Sequence, residues 1–143
     1  MLRRARADDR AFLLALKAAA MKPYVDQVWG WDDAEQVAYF DDRFVPDRTQ
    51  IIQVDGRDVG VLIVEEDGEH VYLADIEVLP AWQGRGIGSA IIEALKERAS
   101  AVNKPLTLRV LKVNTRARAF YERLGFRPYK DIDTHTYLVW EPQ

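Results

Sequence analysis

The chain contains no cysteine. That removes a disulfide framework and a thiolate nucleophile from consideration. Histidine is almost as scarce, with only His70 and His135. Neither sits in an HExxH pattern, so no metal site is expected. A Gly-x-Ser-x-Gly elbow is missing, and the hydrolase signature goes with it. No apolar run is long enough to cross a membrane. Residues 11–20 come nearest, but Asp8, Asp9 and Arg10 precede them and Lys17 interrupts them. The basic start, Met1-Leu2-Arg3-Arg4-Ala5-Arg6, has no signal-type apolar segment behind it. These absences favour a soluble cytoplasmic protein with no membrane partner. Repeats, low-complexity tracts and linkers are lacking as well.

What is present suits one domain over residues 1–143. The 143 residues are 48% hydrophobic, enough for a core without covalent staples. A net charge of −3 gives no general case for nucleic acid. Its distribution says more. Residues 1–79 carry a net −8 and residues 80–143 a net +5. An acidic first part and a basic second part would attract a cation and an anion respectively, unless both are ordinary solvated faces.

The most informative segment is Gln83-Gly84-Arg85-Gly86-Ile87-Gly88. It follows an extended apolar stretch ending at Pro80 and opens an amphipathic run. Alternate glycines strip side chains from the start of a helix. Backbone N–H groups are left facing outward with the positive helix dipole behind them, which suits a diphosphate. A glycine-rich turn serving only local geometry is the plain alternative. Two other nucleotide readings fail. The dinucleotide pattern wants an acid about twenty residues on, where this chain has Leu106-Thr107-Leu108-Arg109. The Walker pattern wants Lys-Ser or Lys-Thr after the glycines, and neither follows.

A second segment, Asn114 to Phe126, reads as a helix with defined ends. Asn114 is a suitable N-cap. Ala117, Phe120, Tyr121 and Leu124 recur at helical spacing. Gly125 suits the left-handed position after the helix. With both segments in view, the chain resembles the GCN5-related N-acetyltransferase (GNAT) superfamily. The Gln-x-x-Gly-x-Gly from Gln83 to Gly88 matches its pyrophosphate loop. The run Asn114…Ala117…Phe120-Tyr121-Glu122-Arg123-Leu124-Gly125-Phe126 matches its second cofactor segment.

The predicted element order extends that resemblance. A short strand at Leu2–Ala5 precedes a helix capped by Asp8 or Asp9 and ended by Pro23, with Met21–Asp33 as a connection. A second helix runs from Asp33 to Phe44. Strands at residues 49–54 and 58–65 form a hairpin around Asp55-Gly56. A fourth strand covers residues 71–79. The third helix turns Ile87, Ala90, Ile91, Ala94, Leu95 and Arg98 inward. A fifth strand at residues 105–110, the Asn114 helix and strands near 126–131 and 134–140 complete the order. The resemblance implies an α/β (α+β) GNAT fold. Its mixed, mostly antiparallel sheet splays between the fourth and fifth strands and is flanked by about four helices.

The resemblance also implies chemistry. The cosubstrate is acetyl-CoA, without a metal. Its diphosphate is expected on Gln83, Gly84, Arg85, Gly86, Ile87, Gly88 and Ser89, and a valine at position 86 is expected to block binding by filling the loop. The pantetheine arm pairs with fourth-strand backbone at Ile76 and Val78, and the Val78 N–H faces the developing oxyanion. Asn114, Arg116 and Ala117 lie along the cofactor, although Arg116 and Arg118 read equally as solvated helix charges. Tyr121 matches the family's general acid near the sulfur, against a plain core role at helical spacing. Asp75 and Glu77, two apart on one strand face, are candidates for the base; solvent-facing strand residues are the bland reading. Some relatives place a glutamate on the fifth strand, where this chain has Arg109.

Acceptor recognition is less legible. Trp29 and Trp31 beside Asp32, Asp33 and Glu35 offer a cation slot. The same residues also make a capping-box pattern with packed tryptophans. His135 is a second candidate for the acceptor site or a structural strand residue. The expected reaction is direct acetyl transfer to a primary amine, with a cationic small molecule favoured. A protein amino group is the alternative acceptor, and a noncatalytic acyl-CoA-binding or sensing module the alternative role. A homodimer is compatible with the family.

Overall fold

The computed structural model describes all 143 residues. The elements run β1 (Leu2–Arg4), α1 (Arg10–Trp29), α2 (Asp33–Arg43), β2 (Thr49–Val54), β3 (Arg57–Glu66), β4 (Val71–Val78), α3 (Ile87–Ala101), β5 (Leu106–Leu111), α4 (Thr115–Arg123), β6 (Arg127–Asp131) and β7 (His135–Trp140). Short 3-10 turns stand before α1, β2 and α3. The strands follow the order β1-β2-β3-β4-β5-β7-β6. The β4–β5 ladder is parallel and the ladders β1–β2, β2–β3, β5–β7 and β6–β7 are antiparallel. This is the mixed sheet with four helices that the resemblance implied.

The chain forms two compact units, Met1–Ile63 with Asp75–Arg85, and Val64–Ala74 with Gly86–Gln143. In the first, Ala5, Leu13, Leu16, Ile51 and Val61 form a buried cluster. Phe12, Phe40, Phe44 and Leu79 pack around it. Arg3 closes this unit with a bidentate bond to Asp9, at 2.9 and 2.7 Å, and a third bond to Asp58 at 3.0 Å. The β2–β3 hairpin turns at Asp55 and Gly56, both with positive φ (52° and 77°), as the Asp-Gly pair predicted.

Two expectations fail here. Pro23 does not end the first helix; α1 continues through Trp29, so Met21–Trp29 is helix rather than connection. A proline costs one helical hydrogen bond and a steric clash, yet the helix continues past it. The true stop is Gly30 at φ 75°, whose N–H donates to the Asp26 carbonyl. Asp9 makes no side-chain cap to α1; its carboxylate takes the Arg3 guanidinium and the Arg6 N–H instead.

In the second unit, α3 and α4 pack on β5. The β4–β5 ladder holds only Val71↔Leu106 and Tyr72↔Thr107. The ladder ends at Tyr72. The inward stripe of α3 differs from expectation. Ile92, Leu95 and Ala99 are buried, while Ala90, Ala94 and Arg98 are exposed. The expected stripe took a neighbouring face, and Gly88 shows which face packs. A Cβ added there would meet the Phe120 ring of α4 at 3.3 Å, so this face of α3 lies against its neighbour.

Candidate active site

The proposed cofactor loop begins in the first unit. Gln83 donates through Nε2 to the Val78 carbonyl at 2.9 Å, tying the loop to the end of β4. Gly84 has φ 75°, and nothing stands within 4 Å of where a Cβ would be. The Arg85 guanidinium lies 4.6 Å from the Trp82 ring centroid, a cation–π contact that orients it beside the loop.

The second unit supplies the helix start. Gly86, at φ 83°, is the N-cap of α3 and offers no side-chain acceptor to the first turn. α2 and α4 differ. There Asp32 accepts from the Glu35 N–H at 3.0 Å, and Asn114 accepts from the Ala117 N–H at 3.1 Å. The first amides of α3, at Ile87, Gly88 and Ser89, therefore keep donor capacity at the positive end of a fifteen-residue helix. Open space at Gly86 extends it outward. These residues fit a diphosphate. The glycines divide the work: Gly84 and Gly86 supply left-handed backbone, and Gly88 supplies close helix packing.

Tyr121 is 7% exposed. Its ring meets Phe120 and Phe126 edge-on, with centroids 5.2 and 5.6 Å away. Its carbonyl accepts from the Leu124 and Phe126 amides. The ring thus has the packing role that helical spacing suggested. Arg116 is exposed, and Arg118 pairs with Glu122 at 3.4 Å.

The two β4 acids differ in exposure. Glu77 has a side-chain exposure of 3% and Asp75 of 26%. Lys17, from α1, reaches both: its Nζ is 3.0 Å from Glu77 and 4.0 Å from Asp75. Burial and then the charge of Glu77 push the Asp75 carboxyl well above the ordinary range, with Lys17 opposing. On Lys17 burial works against the charged form, yet the two carboxylates prevail and hold the ammonium above its ordinary value. Ile76 and Val78 flank these acids on β4.

Lys17 and Gly60 were missed by sequence reasoning. Lys17 left one signal, a lone cation in an otherwise apolar stretch. Gly60 left none. A Cβ at Gly60 would collide with the Glu77 carbonyl, so glycine lets β3 approach β4 at the acid.

Trp29 ends α1 at 59% exposure. Trp31 donates from Nε1 to Asp33 at 2.7 Å, and Lys22 already stands 5.9 Å from its ring. Asp32 caps α2, in line with the capping reading. His135 shares a 2.8 Å hydrogen bond between its Nδ1 and Thr134 Oγ1. Burial, then Arg109, holds its imidazole below the usual value, so it favours the neutral form. A hollow of about 350 Å³ in the second unit, lined partly by Glu66, His70, Tyr72 and Tyr137, contains none of the expected site residues. Glu66 there is engaged by Arg98 and Lys104.

A family model described as "Acetyltransferase (GNAT) family" matches residues 13–126. The chain belongs to that family. Among curated relatives, the thialysine N-epsilon-acetyltransferase of Bos taurus is 44% identical over 59 residues. That match takes in 41% of this chain and 35% of the bovine enzyme. Among solved structures, the PaiA N-acetyltransferase of Thermoplasma acidophilum, determined in complex with coenzyme A, aligns with TM-score 0.78 and 13% identity over 99% of this chain and 98% of its own. An acetyltransferase of Thermus thermophilus aligns with TM-score 0.75 and 21% identity over 99% and 97%. At these identities the structural likeness shows the fold. No helix of this GNAT chain is long and apolar enough to cross a membrane.

Proposed function

We propose that the chain, acting as one domain, is an acetyl-CoA-dependent N-acetyltransferase that passes the acetyl group directly to a primary amine. The observation that carries this reading is the uncapped first turn of α3 at Gly86, which supports diphosphate binding in a chain of the acetyltransferase family. When bound, acetyl-CoA supplies an activated thioester carbonyl. Gly86, Ile87, Gly88 and Ser89 would hold its diphosphate through backbone N–H groups, with Arg85 adding charge. Ile76 and Val78 are assigned to the pantetheine arm. The β4 carboxyl groups take the proton that an ammonium must lose before it can attack. Tyr121 is assigned the proton donated to the departing thiolate.

A cationic small molecule is the proposed acceptor. Support comes from the carboxyl pair on β4, the net −8 of residues 1–79, and partial similarity to a relative named for a small amine. Thiol release from acetyl-CoA across polyamines, lysine analogues, aminoglycosides and peptides tests the reading. Release with one small-amine class supports it, and release with peptides alone would move the acceptor to protein amino groups. Tight acetyl-CoA binding without release from any of them would favour a binding or sensing module.

A further inference from the structure

Lys17, Asp75 and Glu77 form a cluster of three ionisable groups inside the first unit. The members are not equivalent. Glu77 is nearly sealed from solvent and takes the short 3.0 Å contact with Lys17. Asp75 is farther from the cation at 4.0 Å and keeps 26% exposure. Two carboxylates two residues apart on one strand face repel each other, and one cation cannot fully neutralise both. The groups acting on the cluster are Lys17 from α1, Tyr39 from α2, and the two acids of β4 itself.

We propose that Lys17 is a positioning residue that pairs closely with Glu77 and leaves Asp75 as the carboxyl that receives the proton from the acceptor ammonium. This rests on the acetyltransferase reading above. In the step, one N–H bond of R–NH3⁺ breaks and an O–H bond forms on Asp75. The products are the neutral amine and a carboxylic acid, with charge conserved. The acid then returns its proton to solvent, which Asp75 reaches and Glu77 does not. Glu77 acts through its charge, making Asp75 more basic than an ordinary aspartate. Lys17 limits that effect.

The test compares Lys17→Met, Lys17→Arg and the unaltered chain. Carbon-13 NMR titration of the Asp75 and Glu77 carboxyls needs no activity. With the cation gone, the Asp75 titration should move upward by about one pH unit or more. Lys17→Arg should restore the unaltered curves. The acid limb of kcat/KM should move in the same direction and by a similar amount in Lys17→Met, and return in Lys17→Arg. An anchoring lysine would change stability while leaving both curves in place, and that result overturns the proposal. So does a shifted carboxyl titration with an unshifted acid limb. If the unaltered chain shows the titration but no amine-dependent turnover, the acetyltransferase reading itself fails and the proton-acceptor role falls with it. Should Lys17→Met not fold, Asp75→Asn serves. It should abolish the acid limb and lower turnover by about a hundredfold, and an intact acid limb would overturn the assignment.

Discussion

Tyr121 combines a core ring with the proposed acid hydroxyl, and phenylalanine separates the two. Tyr121→Phe keeps the edge contacts to Phe120 and Phe126. Turnover should fall by about a hundredfold with acetyl-CoA affinity close to the unaltered chain. Steady-state kinetics with calorimetry checks this, and unchanged turnover removes Tyr121 from the mechanism. Gly60 is tested in the opposite way, since it has no reactive group. Gly60→Ala forces a methyl against the Glu77 carbonyl and should destabilise the chain by about 1–3 kcal/mol. It should also displace β4 beside Lys17 and weaken turnover. Denaturant unfolding measures the first effect, and a stability equal to the unaltered chain would show that β3 and β4 can part there freely. Neither Gly60 nor the Lys17 cluster was legible from residue type alone. Lys17 and Glu77 meet only because α1 is laid against β4, and no local pattern encodes that contact.

At the scale of elements, α3 is the part most open to test. Gly86 sits at φ 83° with open space where a Cβ would be. Valine there was expected to fill the loop. The structure gives a different reason, because a β-branched residue is strained in a left-handed conformation whatever the space. Gly86→Val should cost about 1–2 kcal/mol in the loop and reduce acetyl-CoA affinity. Gly86→Asn, which tolerates that backbone better, should lose less. Calorimetric titration of acetyl-CoA into both variants separates strain from occlusion, and equal losses would favour occlusion. Elements with local signatures were legible in advance. The Asp55-Gly56 turn, the Asn114 cap and the Gly125 stop all form as read, since each depends on a few neighbouring residues. The length of α1 and the stripe of α3 depend on packing. Pro23 was weighted by its local cost alone, and the expected stripe of α3 took a neighbouring face. The roles of Tyr121 and the glycine loop came from matched motifs, whereas the acceptor residues had no comparable signature.

For the whole molecule, charge placement gives a pH dependence of stability. Hydrogen bonds from Arg3 outweigh burial and, with the Arg6 N–H, lower the Asp9 carboxyl from 3.8 to about 2. A carboxyl depressed in the folded state stabilises above its unfolded value, and that contribution is lost as pH falls from about 4 towards 2. After solvent screening it is worth about 1 kcal/mol. Denaturant unfolding at pH 6 and pH 3 should show a loss in the unaltered chain that is smaller in Asp9→Asn, and identical losses would contradict the Arg3–Asp9 account. The central claim concerns acetyl transfer, and the most direct measurement is the initial rate of thiol release from acetyl-CoA with and without a small cationic amine. The account predicts amine-dependent release with one acetylated product per thiol, and release that collapses in Tyr121→Phe. Firm acetyl-CoA binding with no amine-dependent release from any small amine or peptide would contradict it.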